Sequence, residues 1–371
     1  MKNIKLLICA TICSLLFIEA KPQRLTFSSE LGYFCNDDNI STISRLWKEY
    51  IDTIDTNADT SLFWRDKSND IHKPLHKDGL LNTYNIRKLT DDIYEINTIA
   101  YYPDNAIKGG LINAIYKVCA VQTEGKWQLT NYFDIVKDRY TSYSTDYIDF
   151  YIGNGISLDK KRIKTSANFA KRFIKSYNLE KSNIITYIAA GSIDYCSAMI
   201  GLSYTPIRSH KPYAGRTIDN IVLSTRLDHI HEVVHAIMLP LYPNAPLFLH
   251  EGIATYYGGT AEQDFQALKM ATTAFIEKQN IDFSTNNFLK ASISDNIPLS
   301  YIVAASIVEY ALQKGGEREV LRLFESKSYD EIFDLLGITK EQQGELYTTF
   351  SLDSYEIFFL NLCDDTLWGV L

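Results

Sequence analysis

The sequence predicts an α+β protein of two domains, and three observations support this fold class. The chain has 371 residues, which is enough for two domains of ordinary size. Residues 27–143 combine one helical pattern with several strand-like segments, whereas residues 147–350 begin with strand-like segments and continue with helical patterns. With 46% hydrophobic and 22% charged residues, the composition is that of an ordinary globular protein.

The first domain is predicted to be a helix on a curved antiparallel sheet. Residues 41–55 carry apolar side chains at helical spacing, and strands are expected at 93–102, 111–122 and 126–134. In the first strand, alternate residues are expected to share one face, namely Tyr94, Ile96, Thr98, Ala100 and Tyr102. The Gly-Lys-Trp-Gln-Leu segment at 125–129 resembles the ending of cystatin-like and nuclear-transport-factor-like domains.

The second domain is predicted to contain a small sheet followed by helices. Strands are expected at 147–152, 183–189 and 217–224, with a helix at 157–179 between the first two. Further helices are expected at 226–238, 246–257, 261–279, 300–314, 316–325, 329–335 and 339–349. Residues 141–145 are predicted to separate the two domains, and residues 351–371 to form a C-terminal tail.

The first twenty residues are predicted to be a secretory signal peptide. Lys2 and Lys5 precede a short apolar run at 6–18, and an acceptable cleavage site ends at Ala20. Because this run is too short to span a bilayer, we expect a secreted or periplasmic protein with no integral membrane span after cleavage. The alternative is an uncleaved N-terminal membrane anchor.

Charge and cysteine content exclude some classes of partner and site. The formal net charge is −8 and no cluster of Lys or Arg stands out, so no nucleic-acid partner is expected. Four scattered cysteines remain after the signal peptide: Cys35, Cys119, Cys196 and Cys363. Because they form no C-x-x-C pair, they are interpreted as buried thiols or as members of one or two disulfides, with the pairing open.

The segment His231-Glu232-Val233-Val234-His235 is the motif that indicates chemistry. Residues four apart on a helix lie on one face, so both imidazoles can meet one metal ion. Glu232 then projects near the same ion and can hold a water molecule. The chain has only seven histidines, and four of them fall between residues 229 and 250. This clustering favours a metal site over the alternative, which is a solvated helix with two unrelated histidines.

A catalytic zinc ion takes three protein ligands and leaves one position open for water. Glu251, 16 residues after His235, is the candidate for the third ligand, and the neighbouring His250 is its rival. A turn through residues 241–244 would bring a second helix back antiparallel to the first. The Glu251 carboxylate could then face the two imidazoles.

Capping residues mark the ends of both helices. Residues 224–225 are expected to cap the first helix, and Pro240 to stop it. The second helix is expected to begin near Pro246, with Asn244 as its cap, and to end at residues 258–259, which are both glycine.

The H-E-x-x-H motif followed by Glu-Gly-Ile-Ala-Thr-Tyr-Tyr at 251–257 resembles the gluzincin metallopeptidases, especially the family called peptidase MA-like. The resemblance covers about residues 147–347, including the strand at 218–223 and the tyrosine-led helix at 301–310. It implies a zincin-like fold and one zinc ion per chain. The implied zinc ligands are His231, His235 and Glu251, and the implied general base is Glu232.

Two features depart from the better-known gluzincins. The spacing from His235 to Glu251 is shorter than in several of them. Thr255 stands where thermolysin-like enzymes place an aspartate that orients a metal ligand. The sequence therefore does not identify the group that orients the zinc ligands.

The expected function is that of an exported zinc metallopeptidase acting on a peptide or protein substrate, with Glu232 moving the proton of a zinc-activated water. Tyr301 is the first candidate to stabilise the oxyanion, followed by Tyr256, Tyr213 and His210. The alternatives are a zinc hydrolase acting on a non-peptide amide such as a cell-wall cross-link, and a non-catalytic binding protein on a zincin scaffold.

The strand at 217–224 is expected to lie at a sheet edge, where an extended peptide can pair with it. Residues 211–216 could rim the cleft beside that edge. Arg216 is interpreted as a surface residue, and the alternative is that it binds a carboxylate of the substrate.

Overall fold

The protein, described by a computed structural model, has an α+β fold, which confirms the predicted class. The structure describes residues 25–28, 37–54, 56, 58–65, 70–73, 75, 79–104, 107–179, 184–204, 215–279, 290–294 and 297–339. The predicted signal peptide, Cys35, Cys363, the C-terminal tail and nearly all of the helix predicted at 339–349 lie outside these residues. The chain divides into two compact units, residues 1–137 with 197–208, and residues 138–196 with 209–371.

The first unit contains a six-stranded sheet. Its strands are β1 (Leu25–Phe27), β2 (Leu80–Thr90), β3 (Ile93–Asp104), β4 (Ile107–Thr123), β5 (Lys126–Asn131) and β9 (Leu202–Tyr204). The first five follow one another across the sheet, and β9 pairs with β4. Strand β1 is parallel to β2 and the other pairs are antiparallel.

Helix α1 (Asp38–Ile54) buries the apolar face that its sequence periodicity predicts, including Trp47. The Trp47 indole Nε1 donates to Thr83 Oγ1 at 3.1 Å, so its polar group is satisfied inside the core. Four of the five residues predicted to share a face of β3 are fully buried, but Tyr102 is 40% exposed. A register shift between Ala100 and Tyr101 ends the simple alternation before that residue.

Two strand predictions in this unit were wrong or incomplete. The strand predicted at 126–134 ends at Asn131, because residues from Tyr132 to Val136 form the short helix α2. Strand β2 was not predicted. It carries register shifts at Thr83/Asn85 and at Lys88/Thr90, which break the period-two pattern that sequence reasoning relies on.

The second unit contains a five-stranded mixed sheet. Its strands are β6 (Thr141–Ser144), β7 (Ile148–Ile152), β8 (Ile185–Ala189), β10 (Gly215–Ile218) and β11 (Ile221–Ser224), in the order β10-β11-β8-β7-β6. Strands β7, β8 and β11 are parallel, and the two outer strands are antiparallel to their neighbours. The residues predicted to separate the domains therefore include a strand of this sheet.

The strand predicted at 217–224 is a hairpin of β10 and β11 instead of one continuous strand. The two-residue turn at Asp219 and Asn220 reverses the chain, and Asp219 has a φ of 54°. Asp and Asn tolerate this left-handed conformation better than most residues. Of the two strands, β10 is the one at the edge of the described sheet.

Helices account for most of the rest of this unit. They are α3 (Lys160–Ser176), α4 (Ile193–Met199), α5 (Ile230–Leu241), α6 (Leu247–Gly258), α7 (Phe265–Gln279), α8 (Leu299–Leu323) and α9 (Tyr329–Leu336), and the last three residues of α4 belong to the first unit. Helix α8 spans the two helices predicted at 300–314 and 316–325, and its backbone is non-helical at Gly315 and Gly316. A two-stranded ribbon, β12 (Ser292–Ser294) with β13 (Ile297–Pro298), precedes it.

Cys119 and Cys196 are buried free thiols, which confirms one of the two interpretations of these cysteines. Burial raises the pKa of each thiol to about 12, so neither is a reactive thiolate at neutral pH. Among the described residues, no helix combines the length and the apolar character needed to cross a bilayer.

Candidate metal centre

Helices α5 and α6 form an antiparallel pair joined by residues 242–246. The start of α5 approaches the end of α6 so closely that a Cβ on Gly258 would lie 2.3 Å from the His231 backbone nitrogen. A Cβ on Gly252 would lie 2.7 Å from the Ala304 carbonyl carbon, so α6 also packs tightly against α8. Glycine at these positions lets the backbones approach and brings Glu251 towards α5.

The predicted N-terminal caps of both helices were wrong. Helix α5 is capped by His229 instead of residues 224–225, and α6 is capped by Pro246 instead of Asn244. Pro240 lies inside the last turn of α5, and the helix continues for only one more residue. The predicted end of α6 is confirmed at Gly258, with Gly259 as its cap.

The side chains of His231, His235 and Glu251 converge inside the second unit. The Nε2 atoms of the two imidazoles lie 3.1 Å apart. Glu251 Oε2 lies 3.3 Å from Nε2 of His231 and 3.5 Å from Nε2 of His235. One ligand atom from each residue lies within 4.8 Å of the others, so this group can hold a metal ion.

The polar atoms of this group fit an ion. Glu251 Oε2 is buried and has no hydrogen-bond partner of acceptable geometry among the described residues. Buried polar atoms in folded proteins nearly always have a partner, so an orphaned carboxylate oxygen beside two imidazole nitrogens calls for a cation. Two imidazoles and a carboxylate also form a donor set that transition metals prefer.

His231 is oriented by the backbone. Its Nδ1 lies 2.8 Å from the carbonyl oxygen of Gly259 and donates to it, so in the neutral imidazole Nε2 carries the lone pair that faces the metal group. Thr255 does not orient a metal ligand, because its hydroxyl is buried and has no hydrogen-bond partner among the described residues. A backbone carbonyl at the end of α6 thus holds the imidazole in this chain.

The three side chains of the metal group also shift one another's pKa values. Burial alone would raise the pKa of Glu251, but the adjacent imidazoles of His231 and His235 outweigh it and lower this pKa to about 2. Burial alone would lower the pKa of His231, but Glu251 and Glu232 raise it above its usual value. The site is therefore electronegative and favours a cation or a proton.

His250, the rival third ligand, lies outside the metal group. Its Nε2 is 3.0 Å from the Tyr242 carbonyl oxygen, and its ring packs edge-on against Phe324. Burial lowers its pKa, so the imidazole is neutral at pH 7. Its contacts indicate a structural part in joining α6 to the core.

Glu232 lies beside the metal group and opens onto the same cleft. Thr217 Oγ1, on the edge strand β10, lies 2.8 Å from Glu232 Oε2 and 3.1 Å from the Glu232 backbone oxygen. The hydroxyl donates to the nearer carboxylate oxygen, which leaves Oε1 to face other partners. Sequence reasoning missed Thr217, since nothing in the local pattern links it to a residue 15 positions later.

The cleft has a volume of about 410 Å³ and contains polar and apolar walls. It is lined by Gly215, Arg216, Thr217, His229, His231, Glu232, His235, Leu239, Leu247, Glu251, Thr260, Ala261 and Tyr301. Leu239 and Leu247 each lie one helical turn from a metal-group residue, so they form the apolar end of the cleft.

Tyr301 is the predicted oxyanion donor that the structure places in the cleft. Its ring lies 6.5 Å from the His231 ring, nearly parallel to it. Burial raises the pKa of Tyr301, and the negative charge of Glu251 raises it further, so the hydroxyl keeps its proton. Tyr256 packs instead against Phe265 and does not line the cleft. Tyr213 and His210 lie outside the described residues.

His229 is a second residue that sequence reasoning left without a role. Its Nδ1 lies 3.0 Å from Ser224 Oγ, and this oxygen already accepts the backbone amide of Arg226. The tautomer of His229 decides which of these two atoms donates. Burial lowers the pKa of His229 to about 4 despite the nearby Glu232, which makes this imidazole a neutral donor. The clustering of histidines at 229–250 was the available signal.

Comparison of the chain with models of known protein families finds no match. Comparison with curated proteins likewise finds no match. The resemblance to gluzincins therefore stays a prediction from the motif.

Proposed function

We propose that this protein is a zinc-dependent metallopeptidase that hydrolyses peptide bonds in an exported location. The observation that carries the proposal is the convergence of His231, His235 and Glu251 beside Glu232 in an open cleft. Two imidazoles, one carboxylate and an accessible fourth position match the donor set of catalytic zinc sites.

The metal supplies part of the chemistry and the chain supplies the rest. A bound zinc ion lowers the pKa of water and polarises a carbonyl group. Glu232 accepts the proton of the attacking water on Oε1, while Thr217 occupies Oε2. The same carboxyl group then gives this proton to the leaving amine.

Two neutral donors in the cleft can stabilise the developing oxyanion. The Tyr301 hydroxyl belongs to a residue that lines the cleft, and so does the neutral imidazole of His229, which is a donor to the cleft in the tautomer with its proton on Nε2. Donors that are already fixed in place lower the barrier because they need no reorganisation when charge develops. We assign the main role in stabilising the oxyanion to Tyr301, because it lies beside Glu251.

The edge strand β10 provides a place for an extended substrate. Within the described residues, no strand pairs with its outer side. In an antiparallel hairpin closed by a two-residue turn, Ile218 pairs with Ile221 through hydrogen bonds, so the peptide groups of Thr217 and Gly215 point outwards. A substrate that adds as a further strand would run past Glu232.

Metal analysis and substrate screening test the proposal. Protein purified from an exporting host is expected to carry about one zinc ion per chain, and to cleave members of a peptide library. Cell-wall fragments, screened in parallel, represent the non-peptide amide alternative. A protein that binds no zinc after reconstitution would exclude both hydrolase functions and leave a binding protein.

The hydrogen bond between Thr217 and Glu232 is expected to set the efficiency of proton transfer. Thr217→Val removes the hydroxyl at nearly constant shape, and we expect kcat to fall about 10- to 100-fold, with zinc content unchanged. Thr217→Ser retains the hydroxyl and is the matched control, so its kcat should stay near that of the wild type. Equal kcat values in both variants would show that Thr217 does not position the base.

Zinc affinity is expected to fall as the pH is lowered through the neutral range. Because the pKa of His231 is raised, the metal-free imidazole holds a proton at a higher pH than usual, and the ion must displace it. One displaced proton weakens binding by up to about tenfold per pH unit below that pKa. Calorimetry in buffers of different ionisation enthalpy measures the released proton. An affinity that is constant from about pH 6 to about pH 8 would contradict this expectation.

A further inference from the structure

Arg216 is a cationic residue of the cleft, and its guanidinium forms no hydrogen bond or ion pair with the residues that the structure describes. It is the only Lys or Arg among the described residues that line the cleft. Arg226 offers a contrast in the same unit, because its guanidinium is 2.7 Å from Asp228 and does not line this cleft.

Arg216 lines the same cleft as the proposed reacting groups. It is the neighbour of Thr217 on β10, and Thr217 contacts the proposed general base directly. Successive side chains leave opposite faces of a strand, so the Arg216 side chain leaves β10 on the face opposite to that of Thr217, and Arg216 lines the cleft from this edge strand. Arg216 is an exposed residue; partial burial of its guanidinium lowers its pKa, and the negative charge of Glu232 opposes this shift.

The chemistry of the group defines what it can bind. A guanidinium remains charged at all physiological pH values, and its planar donors match the two oxygens of a carboxylate. The cleft already contains the carboxylates of Glu232 and Glu251, which repel a second acidic group. A substrate carboxylate can therefore be accommodated where Arg216 neutralises it.

We propose that Arg216 is a specificity-determining residue that binds a carboxylate of the substrate close to the scissile bond. The cleft then selects peptides with an acidic group at that position over their neutral counterparts. This inference rests on the proposed peptidase function. The carboxylate belongs either to an Asp or Glu side chain or to a free C-terminus, and the two sources are separable by experiment.

The test measures peptide binding to zinc-loaded Glu232→Gln protein, which retains the cleft. Three probes of one length are compared: a blocked peptide with one Glu, the same peptide with Gln, and the Gln peptide with a free C-terminus. We expect Kd for one of the acidic probes to be about 10- to 100-fold lower than for the neutral probe. Adding Arg216→Gln should bring this ratio close to one, and Arg216→Lys should restore part of it. Arg226→Gln is the matched control and should leave the ratio unchanged.

Each outcome separates the inference from the function on which it rests. Preference for the Glu probe identifies a side-chain carboxylate, and preference for the free terminus identifies an exopeptidase-type site. Equal Kd values for all probes, no binding of any probe, or a preference that survives Arg216→Gln would overturn the inference. If wild-type protein cleaves peptides without acidic preference, the peptidase function stands and the inference fails. Arg216-dependent binding without cleavage would overturn the peptidase function alone.

Discussion

Peptide hydrolysis is expected to disappear in Glu232→Gln, while one zinc ion stays bound. Glutamine has the shape of glutamate and its amide oxygen can still accept from Thr217, but it cannot take a proton from water. Since general base catalysis contributes about 10²- to 10⁴-fold, we expect kcat to fall by at least about 100-fold. Turnover is measured on the best peptide of the library, and zinc by elemental analysis.

A matched control for this variant is Glu262→Gln. Glu262 is an exposed carboxylate that follows Ala261, a residue of the cleft lining, but Glu262 itself does not line the cleft. Its loss should change neither turnover nor zinc content. Undiminished turnover in Glu232→Gln would remove Glu232 from the mechanism, and loss of zinc would show that its carboxylate serves the metal instead.

Loss of zinc is expected in Glu251→Gln and retention of zinc in His250→Gln. Glu251 Oε2 lies within 3.5 Å of both imidazoles, whereas His250 is bonded to the Tyr242 carbonyl. An amide is a much poorer zinc ligand than a carboxylate, so we expect affinity to fall by at least about 100-fold in Glu251→Gln. Competition with a fluorescent zinc chelator measures the dissociation constants.

The pair of variants distinguishes the two candidate third ligands. In His250→Gln, the amide nitrogen can still donate to the Tyr242 carbonyl, so the helix should keep its place. Zinc loss in this variant, with retention in Glu251→Gln, would reverse the assignment. Circular dichroism of both variants checks that the helices are intact.

The motif residues show how far sequence reasoning reached. The spacing of His231 and His235 requires only one helix, so the geometry of the pair follows from local structure. To place Glu251 beside the two imidazoles, one further prediction was needed, namely a second helix antiparallel to the first. The two glycines at 258–259 correctly predicted where this helix ends. The structure brings these three side chains into one group.

Other elements were not predicted correctly because their sequences show no regular alternation or helical period. Strand β2 carries two register shifts, so its sequence does not alternate cleanly. The hairpin at Asp219 was predicted as one strand because Asp and Asn, without glycine, form its turn. The caps of α5 and α6 failed for a similar reason, since a helix start depends on backbone geometry as well as on residue type.

The sequence by itself determined the α+β class, the two imidazoles on one helix and the carboxylate that follows them. These features depend on residues close together in the chain, where helix and strand periods leave a readable pattern. Only the tertiary structure decided that the Gly259 carbonyl orients His231, that Thr217 contacts Glu232, and that Arg216 lines the cleft. Such contacts join residues on different elements, and their packing leaves no period in the sequence.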